Sequence, residues 1–340
     1  MKKNRILVIA LTLVLCVGLL AGCGKRVSAT EKEETTETVS DKKIHVVCTT
    51  FPQYDWVREI IADKADQFEL TLLLDDGVDL HSYQPMAEDI AKVGSADLFV
   101  YVGGESDGWV EDALEEATNP NLKSINLLEE LGDSVKEEEV KEGMQAEEEE
   151  ETEGESEEEE PEYDEHVWLS LKNAKVLVES ISKTLQEIDT VNAKSYEENA
   201  TAYIGKLDQL DRQYEEMVQS ATFDTVLFGD RFPFRYLIDD YHLNYYAAFV
   251  GCSAETEASF ETITFLSTKV DELGLNSILT IENSDQKIAE TIKQNTKNKN
   301  QNILSMNSLQ SITKTDMQDG FTYLKAMQDN FDVLKQALTE

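Results

Sequence analysis

Gly77-Val78-Asp79-Leu80-His81-Ser82-Tyr83-Gln84-Pro85 follows the apolar run Leu70-Thr71-Leu72-Leu73-Leu74 and the turn-like Asp75-Asp76-Gly77. The apolar run reads as a short buried strand, so the stretch places an imidazole just past a strand end, where open α/β sheets bind their ligands. A second imidazole lies far downstream in Glu165-His166-Val167-Trp168-Leu169, directly after a long acidic tract and before a helical pattern that begins at Leu171. Two separated histidines, each at an element boundary, imply a metal site closed by the fold.

Working outward, the pattern repeats in two similar halves. In the first, residues 45–48, 69–74 and 98–102 read as strands separated by helix-like stretches at 55–65 and 86–93. In the second, residues 225–228, 245–250, 277–281 and 303–304 read as strands alternating with helices at 234–240, 259–273 and 285–294. Strands that alternate with helices predict an α/β fold of two βα-type lobes with mainly parallel, buried sheets. Residues 43–170 form the first lobe and 221–340 the second. Between them, 171–220 is nearly free of Gly and Pro, with apolar residues three or four apart at Leu177, Ile181 and Leu185 and again at Tyr203, Leu207, Leu210 and Tyr214. That spacing is helical.

At the N-terminus, Lys2, Lys3 and Arg5 precede an apolar run over 6–20, and Leu20-Ala21-Gly22-Cys23 follows. This reads as a signal peptide over 1–22. Cys23 resembles a lipobox cysteine, and its diacylation would anchor the folded part outside the cytoplasm, on the outer face of the membrane. Residues 23–42 read as a polar tether without the apolar content to fold. Of the four cysteines, Cys48 and Cys252 remain, and either a bridge between them or two free thiols is compatible with the sequence. The formal net charge of −39 is concentrated: residues 137–165 carry 18 acidic side chains against the single Lys141. Such a block repels itself and is expected to be a disordered loop.

Both histidine motifs resemble those of the metal-binding lipoproteins that feed bacterial zinc and manganese ABC importers, the cluster A-I solute-binding family, and within it the Gram-positive zinc-binding branch. The resemblance extends to Thr49-Thr50-Phe51-Pro52, Ser95-Ala96-Asp97-Leu98-Phe99, residues 236–241 and a terminal amphipathic helix, in family order. It implies a long, rigid helix joining the lobes and a metal cleft between them. It implies also His81 and His166 as ligands, a permease with its ATPase as partner, a monomer, and no nucleic acid. Two imidazoles favour zinc over manganese, which prefers oxygen donors.

The second lobe departs from the family pattern. Arg231 stands five residues before Tyr236, where relatives place a histidine or glutamate, and Asn307 replaces an aspartate. A guanidinium has no lone pair to offer a metal. The third ligand is therefore sought among Glu282, at the end of strand 277–281, Asp230, and the loop residues Glu255 and Glu257, with the first two favoured equally. Arg231 is expected to clamp the lobes by pairing with Glu282, Asp230 or a loop glutamate. His45 and His242 are read as structural. Two rival functions remain: a surface adhesin of the same fold with a vestigial cleft, and a zinc hydrolase. The chain lacks His-Glu-x-x-His and Gly-x-Ser-x-Gly, which argues against an enzyme.

Overall fold

A computed structural model of the chain describes residues 42–145, 162–253 and 257–340. The signal peptide, Cys23, the tether up to residue 41, the middle of the acidic tract and Glu255 lie outside the described residues.

The first half runs β1 (Ile44–Cys48), α1 (Phe51–Ile61), β2 (Phe68–Leu72), α2 (Ala87–Ser95), β3 (Leu98–Tyr101), α3 (Val110–Glu115), β4 (Lys123–Asn126) and α4 (Leu127–Leu131). After α5 (Leu171–Ile188) and α6 (Ala193–Gln219), the second half runs β5 (Thr225–Phe232), α7 (Arg235–Asp240), β6 (Asn244–Val250), α8 (Phe260–Leu273), β7 (Ser277–Ile281), α9 (Lys287–Asn295), β8 (Asn302–Met306), α10 (Lys314–Gln318) and α11 (Tyr323–Thr339). Each half builds a four-stranded sheet, ordered β2-β1-β3-β4 and β6-β5-β7-β8, with every pairing parallel. The two orders are the same topology repeated. In both, the chain reverses its direction of winding beside the first strand of the half, which opens a crevice at the carboxyl ends of the strands.

Local chemistry sets the boundaries. α1 begins at Phe51, earlier than residue 55, because the Gln53 side chain accepts the Thr50 backbone N–H at 3.1 Å and Pro52 lies in the first turn. Ser170 starts α5 by accepting the Asn173 N–H at 3.0 Å. α6 has 27 residues, about 40 Å of helix. Its first turns face the first lobe, where Asn199 donates to the Ile60 carbonyl at 3.0 Å. Toward its end Tyr214 donates to the Met327 carbonyl on α11 at 2.7 Å.

One apolar cluster runs through both halves, from Val46, Trp56 and Phe99 through Trp168, Leu177 and Tyr203 to Phe228, Tyr236, Tyr323 and Leu334. A smaller cluster of Leu227, Phe249, Ile263, Leu266, Ile278 and Ile292 packs α8 and α9 against the outer face of the second sheet.

Some features depart from the sequence expectation. β4 was not legible, since only Ile125 of Lys-Ser-Ile-Asn is buried. β5 extends four residues past Phe228, through a register shift between Phe228 and Arg231. The predicted disordered stretch 137–165 begins and ends in ordered backbone: Glu138 N–H donates to the Glu162 carbonyl and Asp164 N–H to the Lys136 carbonyl, both at 2.9 Å, and Glu137 bridges to Tyr163. Cys48 and Cys252 are not joined. Among the described residues no helix is long and apolar enough to cross a membrane.

Candidate metal centre

His81 lies in a single helical turn, Leu80–Ser82, that follows β2; the Asp79 side chain caps it by accepting the His81 backbone N–H at 3.1 Å. His166 is fixed in the same way by Asp164, which accepts its backbone N–H at 2.9 Å. These two Asx-type turns bring the Nε2 atoms to 3.2 Å from each other. Two imidazole nitrogens on one tetrahedral zinc, each at about 2.0–2.1 Å from the ion, sit about 3.3 Å apart. The far side of each ring is engaged as well. His166 Nδ1 is 3.0 Å from Asp164 Oδ1, and His81 Nδ1 is 2.9 Å from Ser106 Oγ with Glu165 Oε2 at 3.6 Å. A carboxylate behind a ligating imidazole fixes its tautomer and raises its basicity.

The His166 ring is fully buried, and the His81 side chain is 12% exposed. Burial, with the neighbouring His166, pushes His81 well below the ordinary histidine range, to about 3. Its imidazole is therefore neutral and available at physiological pH. Trp168 packs edge-on against the His166 ring at 5.4 Å between centroids, and the Tyr236 hydroxyl donates to the Asp164 carbonyl at 2.7 Å. Glu165 lies between the two loops, its Oε1 accepting the Ser106 N–H at 2.8 Å. Burial raises its carboxyl to about 7, against the pull of the Ser106 hydrogen bonds. Gly104 allows this approach: its φ is +81°, and a Cβ there would fall 2.4 Å from Glu165 Oε1.

Glu282 and Asp230, the two carboxylates favoured as third ligand, are placed elsewhere. Glu282 accepts both from the Ser308 N–H at 2.7 Å and from the Ser308 hydroxyl at 2.6 Å, so it ties the end of β7 to the loop after β8. Asp230 Oδ1 accepts the Arg231 N–H at 2.9 Å, and its other oxygen lies 3.4 Å from the Ile281 N–H. Asn307 Oδ1 accepts the Leu309 N–H at 2.8 Å. Arg231 does bridge the lobes, but its partner is Asp79, the residue that caps the His81 turn, and not Glu282 or Asp230. A register shift in β5 lies between Phe228 and Arg231. Burial alone would raise Asp79; the Arg231 guanidinium more than offsets it and holds the carboxyl below its usual range. Asp79, Ser82, Asp230, Arg231, Ser253 and Asn283 help line an open cleft of about 430 Å³ between the lobes.

Sequence reasoning missed Asp164 and Ser106 behind the rings, and two residues beside them. The Gln310 amide satisfies both its ends when its nitrogen donates to Asp79 at 2.9 and 3.1 Å and its oxygen lies 2.7 Å from His166 Nε2. Cys252 follows β6 directly. Among the described residues, the donor atoms of His81, His166 and Cys252 form a group in which all lie within 4.8 Å of one another, and neither Glu282 nor Asp230 joins it. Position at a strand's carboxyl end was the available signal for Cys252; the sequence offered none for Gln310. His45 faces Glu69 at 3.2 Å on the outside of β1, and His242 sits in a turn after α7, both away from this group.

With this geometry established, comparison with known proteins becomes informative. The family described as ZnuA, zinc-uptake complex component A periplasmic, matches residues 46–337. The high-affinity zinc uptake system protein ZnuA of Bacillus subtilis is 31% identical over 322 residues, covering 94% of this chain and 96% of that protein. The zinc-binding lipoprotein AdcA of Streptococcus pneumoniae is 30% identical over 340 residues and 99% of this chain, which spans 61% of AdcA's length. Among solved structures, the Zn(II)-bound ZnuA-like domain of that AdcA superposes with a TM-score of 0.67 at 29% identity, over 88% of this chain and 100% of the domain. The metal-dependent lipoprotein YcdH of Bacillus subtilis gives 0.70 at 27% identity, over 88% and 100%. The chain belongs to the ZnuA family of zinc-uptake components, a family of solute-binding proteins and not of enzymes.

Proposed function

We propose that this chain captures zinc in the interlobe cleft, with His81 and His166 as two of its ligands, and delivers it to an ABC import permease from the outer face of the membrane, where a lipid on Cys23 tethers it. The observation that carries this reading is the 3.2 Å approach of two buried Nε2 atoms whose opposite ring nitrogens face Asp164 and Ser106. Two imidazole donors converging on one point, each backed by a polar partner, favour capture over a vestigial cleft. Manganese, the alternative cargo, prefers oxygen donors.

Competitive titration of zinc against manganese tests the reading. One zinc per chain, retained against excess manganese and strongly weakened by either His81→Ala or His166→Ala, is the expected result. Unchanged stoichiometry and affinity in both variants would overturn it.

A further inference from the structure

We infer that Cys252 supplies the third protein ligand, so that the zinc site of this chain is a two-histidine, one-thiolate centre closed by the second lobe. The inference rests on the capture reading above and specifies its chemistry. His81 follows β2 of the first lobe and His166 opens the connection to α5; Cys252 follows β6 of the second lobe. All three therefore come from loops at the cleft, and their donor atoms lie within 4.8 Å of one another. Tetrahedral zinc with Zn–N of about 2.0–2.1 Å and Zn–S of about 2.3 Å needs nitrogen to sulfur separations of about 3.5 Å, so shifts of about 1 Å complete the site.

Two independent features point the same way. Gly251 carries the chain against the His166 ring: a Cβ there would lie 3.0 Å from Cε1 and 3.1 Å from Nδ1, so the absence of a side chain lets the following cysteine come this close. Glu165, 2% exposed, leaves its Oε2 without a hydrogen-bond partner, 3.6 Å from His81 Nδ1 behind the ring. A buried carboxylate oxygen without a partner is costly. With zinc on Nε2 the ring carries its proton on Nδ1, which donates to Ser106 Oγ at 2.9 Å and turns a positive edge toward Glu165 Oε2. On binding, a sulfur–zinc bond forms, the S–H bond breaks and the proton leaves to solvent.

Arg231, on the neighbouring strand β5, has no lone pair for a metal, and its charge is neutralised by Asp79. The thiolate is the donor that the second lobe brings to the two histidines. A soft sulfur donor with two imidazoles selects thiophilic zinc over manganese more sharply than a carboxylate would.

Cobalt(II) provides the test, because thiolate ligation gives it an intense near-ultraviolet charge-transfer band that nitrogen and oxygen ligands do not. The purified chain loaded with Co(II) should show that band, Cys48→Ala should keep it and Cys252→Ser should lose it. Zinc affinity in Cys252→Ser should fall by more than the roughly 10–100-fold typical of losing an outer-shell partner. Cys252→His should recover zinc binding without the band. If wild type binds cobalt and zinc tightly with no Cys252-dependent band, the thiolate assignment is wrong and the capture reading stands. If wild type binds neither metal, both fail.

Discussion

Asp164 shows how much of the site depends on residues that touch no metal. Its Oδ1 accepts the His166 backbone N–H and faces Nδ1 of the same ring, so one carboxylate sets both the position and the tautomer of the imidazole. Asp164→Asn should weaken zinc binding by roughly 10–100-fold, as loss of such partners does, with the thermal transition of the metal-free protein little changed; competition against a chromophoric chelator measures it. A pH effect arises one loop away. Asp107 accepts N–H groups from Val102 and Gly103 at 2.8 and 2.9 Å, yet burial dominates and pushes its carboxyl up to about 6. An unfolded Asp ionises near about 3.9, so between those values the folded chain holds more protons than the unfolded one. Asp107 therefore contributes stability that is complete below about pH 4 and lost as pH rises through about 6. Relative to Asp107→Asn, the wild-type melting temperature should rise as pH is lowered from 7.5 to 4.5; parallel curves would show that the carboxyl is never protonated. At this scale the sequence disclosed the histidines because their turns carry a recognisable spacing. It did not disclose Gln310 or Ser106, which reach the site through tertiary packing that no local pattern encodes, and for Cys252 it offered only a place near the end of a strand.

Among the elements, the legible strands are continuous apolar runs such as β1 and β7, and the legible helices have a strong period, as α5 does. β4 escaped because a short edge strand with one buried side chain has no period to read. The β5 irregularity escaped because a bulge depends on the partner strand, and Arg231, expected to pair with Glu282, Asp230 or a loop glutamate, pairs with Asp79. The acidic tract was misjudged at its ends, where composition favoured disorder but specific contacts outweigh it. Glu138 accepts the Cys252 N–H at 3.1 Å, Gln145 donates its backbone N–H to the Ala248 carbonyl at 2.9 Å, and the Lys141 ammonium sits 3.9 Å from the Tyr245 ring centroid. Replacing residues 146–161 with a short Gly-Ser linker should leave zinc affinity and melting temperature unchanged. Removing 137–162 should lower both, because it deletes the strap that holds the Cys252 loop. Calorimetry on the two deletions separates the strap from the intervening charge.

Across the whole molecule, the repeated topology was readable from the alternation of elements, whereas the continuity of the core was not. Trp168 donates its indole N–H to the Ser308 carbonyl at 2.8 Å while its own carbonyl accepts from the Tyr323 hydroxyl at 2.7 Å, so the connection beside His166 is stitched to β8 and α11 at once. With α6 spanning both halves, hinge opening would break a packed interior and a helix together. Small-angle scattering of zinc-free and zinc-loaded protein should therefore give the same radius of gyration within error; a contraction on loading would show that the shared core yields. A carrier whose outline is the same full or empty cannot announce its cargo by shape. On the capture reading proposed above, empty copies would dock on the importer as readily as loaded ones and act as competitive inhibitors of delivery, so when zinc is scarce, making more of this protein beyond the available metal would slow uptake.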